Sequence, residues 1–197
     1  MNKQSDVYEL VPDFPFSEDG EPWFIEIGSK YYSIGIRPWI GRRAVTIADC
    51  PLVSKCSPGP VCARDYMLSL DGFPLFSDAM MQMIDRLDPG AMDWLPIVFH
   101  RPRSRERIAG YSIGATNHTI DAIDRDRTRV SQDDWTPRDN GTLRVLYPIW
   151  IRGDLIPDCC IFRLSGSPSE LWVTEQFKQA VEESGLTGCR FRKAHIS

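Results

Sequence analysis

The stretch Ser169-Glu-Leu-Trp-Val-Thr-Glu-Gln-Phe177, continued by Lys178-Gln-Ala-Val-Glu-Glu-Ser-Gly185 and running on to Ser197, decides the fold. Glu170 to Val173 is a short apolar run that reads as a strand. Phe177, Ala180 and Val181 then recur at i, i+3 and i+4, which places them on one face of a helix. Thr174 stands where an N-cap hydroxyl accepts a hydrogen bond from the first turn, and Glu175 puts a negative charge where the helix dipole favours it. Gly185 suits the left-handed residue that ends a helix, and Leu186 is placed to fold back on the apolar face. Thr187 to Arg192 reads as a second strand. The unit is strand, capped helix of about three turns, glycine turn, strand, and it holds no constellation able to do chemistry.

An earlier part of the chain has the same form. Leu75-Phe76 leads into Ser77 as N-cap and Asp78, followed by Met80, Met83, Ile84 and Leu87 on one face. Asp88-Pro-Gly90 stops that helix, and Trp94 to Phe99 is the strand after it. Shifted by 97 residues, Phe76 meets Val173, Ser77 meets Thr174, Asp78 meets Glu175, Met80 meets Phe177, Met83 meets Ala180 and Ile84 meets Val181. Two related helix–strand modules are one reading. The other is that any capped amphipathic helix followed by a strand looks like this. Two copies do not make a solenoid.

Working outward, Trp23–Ile27 and Tyr31–Ile36 flank Gly28-Ser-Lys30 as a hairpin. Residues 44–48 make a third short strand, and Asp49 to Pro60 reads as a loop because Pro51, Pro58, Gly59 and Pro60 crowd together. Residues 1–20 read as an irregular lead-in anchored by Tyr8, Phe14 and Phe16. Tyr111–Ala115, Thr142–Tyr147, Ile149–Ile151 and Cys160–Leu164 are further strand material, with Pro148 marking an edge or bulge. Ile120 and Ile123 are candidates for burial. The total, seven to nine short strands with two or three helices, fits an α+β fold with mostly antiparallel sheets. One domain is expected over 1–197, a β-rich part over 1–73 preceding the part over 74–197.

The 42% apolar content and six Trp suffice for a core. A net charge of −4 argues against a nucleic-acid binder, which needs a basic face. Arg101, Arg103, Arg105 and Arg107 alternate around Pro102 and read as a solvated loop or hairpin. The first residues lack the apolar core of a secretory signal, and no window approaches a membrane span. The expectation is a cytoplasmic protein, without membrane association, whose six cysteines are reduced.

Chemistry-bearing residues are sparse. Cys50, Cys56 and Cys62 are spaced too widely for a zinc knuckle, so buried thiols are the preferred reading over a metal site completed by a distant ligand. No cofactor is expected. A nucleophile pair such as Cys160 with His118, assembled in space, is open, but no motif supports it. His100 and His195 are isolated, and neither a P-loop nor G-x-G-x-x-G occurs. Asp121, Asp124, Asp126, Asp133 and Asp134 fall within fourteen residues, interleaved with Arg125, Arg127 and Arg129 and closed by Trp135. One reading is a self-paired solvated surface. The other is a partner-recognition face, its carboxylates steering a basic partner and Trp135 anchoring it.

Asp121-Ala-Ile-Asp124, the Ile161-Phe-Arg163 strand, and Trp172-Val-Thr-Glu with Phe177 and the Gly185-Leu-Thr-Gly-Cys-Arg-Phe191 tail resemble polymorphic-toxin immunity family 11. The resemblance covers residues 74 to 197 and is best in the last third. A branch of that family carries paired C-x-x-C-G motifs, which this sequence lacks. The resemblance implies a non-enzymatic cytoplasmic protein that binds and silences a cognate toxin. The alternatives from other classes are a hydrolase or transferase with a Cys/His/Asp site and a zinc-stabilised binding module.

Overall fold

The structure, a computed structural model, describes residues 6–13, 25–26, 52–56, 64–69, 72–100, 107–130 and 145–197. Of the sequence expectations, the turn and second strand of the hairpin, the strand at 44–48, Arg101, Arg103, Arg105 and residues 131–144 lie outside them.

Two sheets dominate. The six-stranded sheet is built from β2 (Ile25–Glu26), β3 (Leu52–Cys56), β4 (Tyr66–Leu68), β5 (Pro74–Ser77), β6 (Met92–His100) and β7 (Arg107–Thr116), in the order β2-β3-β6-β7-β5-β4. The five-stranded sheet takes β1 (Val7–Pro12), β8 (Thr119–Ile120), β12 (Ile161–Leu164), β13 (Ser167–Thr174) and β14 (Cys189–Lys193), in the order β14-β1-β13-β12-β8. Two ribbons complete the described strands: β9 (Arg129–Val130) with β10 (Val145–Leu146), and β11 (Trp150–Ile151) with β15 (His195–Ile196). Among the described residues the α-helices are α1 (Asp78–Leu87) and α2 (Glu175–Glu183), with a short 3-10 turn at Gly153–Leu155. Most pairings are antiparallel; β3–β6, β8–β12 and β11–β15 are parallel. The α+β class is therefore as expected.

The two stretches aligned at a shift of 97 occupy equivalent places. β5 and β6 do not pair with each other, because β7 lies between them antiparallel to both. β13 and β14 likewise flank β1. Phe76 faces Ser112, which faces Pro96; Val173 faces Tyr8, which faces Lys193. The register therefore matches strand for strand across the middle. The difference is where the middle strand comes from: β7 follows its module directly, whereas β1 arrives from the other end of the chain.

The apolar faces of α1 (Met80, Met83, Ile84) and α2 (Phe177, Val181) meet in one core with Tyr8, Leu10, Tyr66, Phe76, Leu171 and Val173. Alternation along β1, β12 and β13 sends Val7, Phe162 and Trp172 to the opposite side of the five-stranded sheet. There they form a second core with Ala122, Ile123, Ile149 and Ile151. Ile123 is buried as expected, whereas Ile120 is half-buried.

The caps show how local sequence fixes the ends. Ser77 Oγ accepts from Met80 N at 3.2 Å and donates to Asp65 Oδ1 at 2.7 Å. Thr174 occupies the N-cap of α2 in an extended conformation, but its hydroxyl makes no cap bond, contrary to expectation. The site is buried; the Asp6 carbonyl accepts the first helical N–H, that of Glu175, at 2.9 Å, and the Thr174 hydroxyl is left without a partner among the described residues. At the other end Gly185 is left-handed (φ 64°), Gly185 N donates to Glu182 O and Leu186 N to Val181 O. That is the paired closure expected of a glycine-terminated helix, and Leu186 packs on the core.

Two expectations need correction. Residues 7–12 are a strand, not a lead-in: β1 is paired on both sides. Residues 52–56, read as loop from their prolines, form β3, because Pro51 and Pro58 flank the strand without interrupting it and its neighbours β2 and β6 supply the pairing.

Asp65 fastens the tail to β4. Its carboxylate accepts from the Ser77 hydroxyl, from Thr187 N at 2.8 Å and from Thr187 Oγ1 at 2.8 Å. Burial, the largest single influence, pushes its pKa up, but these donors together outweigh it and hold the group below the usual carboxylate range. A depressed folded pKa gives stability present above the unfolded pKa and lost as pH falls through the folded one. Asp65→Asn should therefore cost about 1–2 kcal/mol at neutral pH. The gap to wild type should close as pH drops below ordinary carboxylate values, and urea denaturation across pH 2.5–7 (about the range where carboxylates titrate) checks this.

Candidate partner-binding face

The described part of the acidic cluster forms a tight loop between β8 and β9. Asp121 is exposed and pairs with Arg125 at 3.1 Å. Asp124 turns inward: its carboxylate accepts from Asp126 N at 3.0 Å and Arg127 N at 3.1 Å. The Ser197 hydroxyl is the main influence holding Asp124 below the usual carboxylate range, helped by these N–H donors and Arg127. Asp124 is thus committed to shaping the loop, while Asp121 and Asp126 face solvent. Asp133, Asp134 and Trp135 lie outside the described residues.

The loop continues into a second surface. Arg127 lies over the Trp150 ring at 5.1 Å, and Trp150 stacks on His195 with ring centroids 5.0 Å apart. His195 lines a cavity of about 310 Å³ together with Glu9, Tyr147, Trp172 and Arg192. Arg192 Nε stands 3.3 Å from Glu9 Oε2, its Nη2 donates to Glu9 Oε1 at 3.4 Å, and its guanidinium covers the Tyr147 ring at 5.2 Å. Burial raises the Glu9 pKa and Glu170 adds to the rise, against the opposing pull of Arg192 and the Tyr147 hydroxyl. In that lining Tyr147 is 50% exposed, and its chain neighbour Leu146 is 41% exposed. An exposed aromatic beside a concave, partly charged pocket is the arrangement that anchors protein interfaces.

Glu9, Tyr147 and Arg192 were not singled out in the sequence. Glu9 and Arg192 are 183 positions apart and meet only through the β1–β14 pairing. The one available signal was the pattern Val7-Tyr-Glu-Leu-Val11, a charge inside a strand-like run.

The cysteine and histidine expectations resolve in part. Cys50 and Cys62 lie outside the described residues, and Cys56 is described only through its backbone in β3. Among the described residues no three His, Cys, Asp or Glu side chains are grouped to hold a metal. His118 and Cys160 do converge, on Asp88: His118 Nε2 is 3.4 Å from Asp88 Oδ2, which accepts Cys160 N at 2.9 Å. Burial, with the Asp88 charge adding to it, pushes the Cys160 thiol up to about 12. Burial does the same to Cys159 and Cys189. That is the opposite of the depressed pKa that activates a nucleophilic thiol. Among the described residues no helix is long and apolar enough to cross a membrane.

No curated protein matches the chain. Residues 45–195 match the model of the Immunity protein family (Imm11). The matched span takes in α1, α2, the acidic loop and the glycine-closed tail, and the protein belongs to the Imm11 immunity protein family.

Proposed function

We propose that this protein neutralises a cognate bacterial toxin in the cytoplasm by stoichiometric binding, without catalysis of its own. Membership of the immunity family carries the reading. The surface that supports it best is the continuous face made by the acidic loop, the Trp150–His195 stack and the Tyr147 cavity. Asp121 and Asp126 steer a basic partner through solvent, and Tyr147 with Leu146 supplies the apolar anchor.

The test is co-expression of the adjacently encoded toxin domain with and without this protein, followed by co-purification. Growth rescue with a stable complex supports the proposal. Rescue without a complex favours an enzyme that reverses the damage, and no rescue removes the immunity role.

Tyr147→Ala should leave folding intact and weaken the complex about thirtyfold or more, as truncation of an interface anchor does. Reversing both Asp121 and Asp126 should slow association and flatten its salt dependence. Association insensitive to salt and to these reversals would remove the steering role. Asp124 is unsuited to such a test because its loss would unfold the loop.

A further inference from the structure

Arg163 sits in the middle of β12, 4% exposed, on the sheet face opposite Phe162. Its backbone is engaged normally, with N donating to His118 O at 2.9 Å. Its side chain has no ion pair and no hydrogen bond to any described residue, and Nε is buried without an acceptor. It lines a cavity of about 240 Å³ between β4 and the five-stranded sheet, beside Leu10, Tyr66, Pro74, Ser169 and Glu170. Glu170 offsets the Arg163 charge at a distance but forms no ion pair or hydrogen bond with it; Glu170 Oε2 accepts from the Ser167 hydroxyl at 2.6 Å, and Glu9, which also borders the cavity, is taken by Arg192.

A guanidinium keeps its proton even when buried. Arg163 therefore carries a cation that the described protein leaves without an acceptor, one of the costlier things a fold can contain. A guanidinium lining a cavity is suited to recognise a carboxylate or a phosphate there. The chemistry of the missing group follows from the surroundings. A planar carboxylate matches the guanidinium fork with two parallel hydrogen bonds. With Glu170 already bordering the cavity, a single added negative charge is tolerated where a phosphate dianion would be repelled. Leu10 and Pro74 give the cavity apolar walls, which lower the local dielectric and strengthen the pair.

We propose that the Arg163 cavity is a carboxylate-binding site, filled by an Asp or Glu side chain of the bound toxin. The source of the carboxylate rests on the immunity reading; the site itself does not. It adjoins the Tyr147 cavity through Glu9, which lines both, so one partner would reach the two together.

The experiment is thermal unfolding of the free protein, wild type and Arg163→Met, titrated with sodium acetate or inorganic phosphate against chloride at matched ionic strength. Removing an unpaired buried cation should raise the melting temperature by about 4 °C. Acetate should raise the wild-type midpoint and leave Arg163→Met unmoved, with phosphate weaker than acetate. A lowered midpoint in Arg163→Met, an acetate effect equal in both proteins or absent from wild type, or phosphate stronger than acetate would overturn the site. With the toxin, Arg163→Met should bind at least about tenfold more weakly; unchanged affinity overturns the toxin as source. Failed rescue with the acetate effect intact overturns the immunity reading alone, and rescue without any acetate effect overturns this site alone.

Discussion

Gly188→Ala will lose about 3–5 kcal/mol of stability, a large share of the 5–15 kcal/mol (roughly) that a domain of this kind possesses. Two costs combine. Gly188 has φ 90°, a conformation that any side chain adopts under strain. More severely, an added Cβ would stand 2.2 Å from the Tyr66 carbonyl oxygen and 2.7 Å from Arg64 Cβ. The carbonyl cannot retreat freely, because the same seam is stitched by Tyr66 N to Thr187 O at 3.1 Å and Asp13 N to Gly188 O at 2.8 Å. Accommodating the methyl therefore parts β4 from the tail and loosens the join between the two sheets. Gly185 is the control. It is also left-handed, but nothing lies within 4 Å of its missing Cβ, so Gly185→Ala should cost only about 1 kcal/mol. Urea denaturation of both variants gives the comparison: a lower midpoint at unchanged slope is expected, far lower for Gly188→Ala. Equal losses at the two positions would show that the seam yields and that the close approach is unimportant.

Phe76→Ala should cost about 3–5 kcal/mol. Phe76 is fully buried, its ring set edge-on to Trp94 at 5.4 Å and tilted on Tyr66 at 5.2 Å. It also lies over Gly114: a Cβ there would meet Phe76 Cε2 at 2.5 Å and Met92 Cε at 2.6 Å. The two positions should therefore be coupled. Gly114→Ala alone forces the ring aside and should cost about 1–3 kcal/mol. In the Phe76→Ala background the new methyl enters the space the ring vacated, and the cost should shrink or change sign. The coupling in such a cycle should exceed about 1 kcal/mol. Additive losses would mean that Gly114 is required for backbone reasons and not for room beneath the ring.

What the sequence disclosed was local in origin. Both helices announced themselves through apolar spacing and the residues at their ends, since Ser77, Gly185 and Leu186 act within a few positions of the helix they close. Even there Thr174 was only half legible: its position followed from pattern, but its hydroxyl makes no cap bond. β1 was hidden because both of its faces are buried and a charge sits in its middle, so Val7-Tyr-Glu-Leu-Val11 shows neither alternation nor a clean apolar run. β3 was hidden by its flanking prolines. The candidate face was the least legible part. Asp121 and Asp126 could be picked out as a cluster, whereas Glu9, Tyr147 and Arg192 meet only through pairing across nearly the whole chain. Nothing in a single sequence marks Arg163 as buried without a hydrogen-bond acceptor among the described residues, because that depends on which side of β12 faces the cavity.

The source of the two middle strands bears on how the chain comes to be folded as it is made. β5, α1, β6 and β7 follow one another within Pro74–Thr116, so that half closes over short loops and can form as soon as it leaves the ribosome. The other half cannot. Tyr8 bonds Glu175, and Glu9 meets Arg192, so β1 must wait, exposed and unpaired, until the last residues of β14 have been synthesised. Pairing over such separations is slow. On the proposed binding face, β14 must be docked before the protein can act, because it supplies Arg192 to the Tyr147 cavity. On that proposed reading, the docking of β1 sets the time from the start of translation to protection.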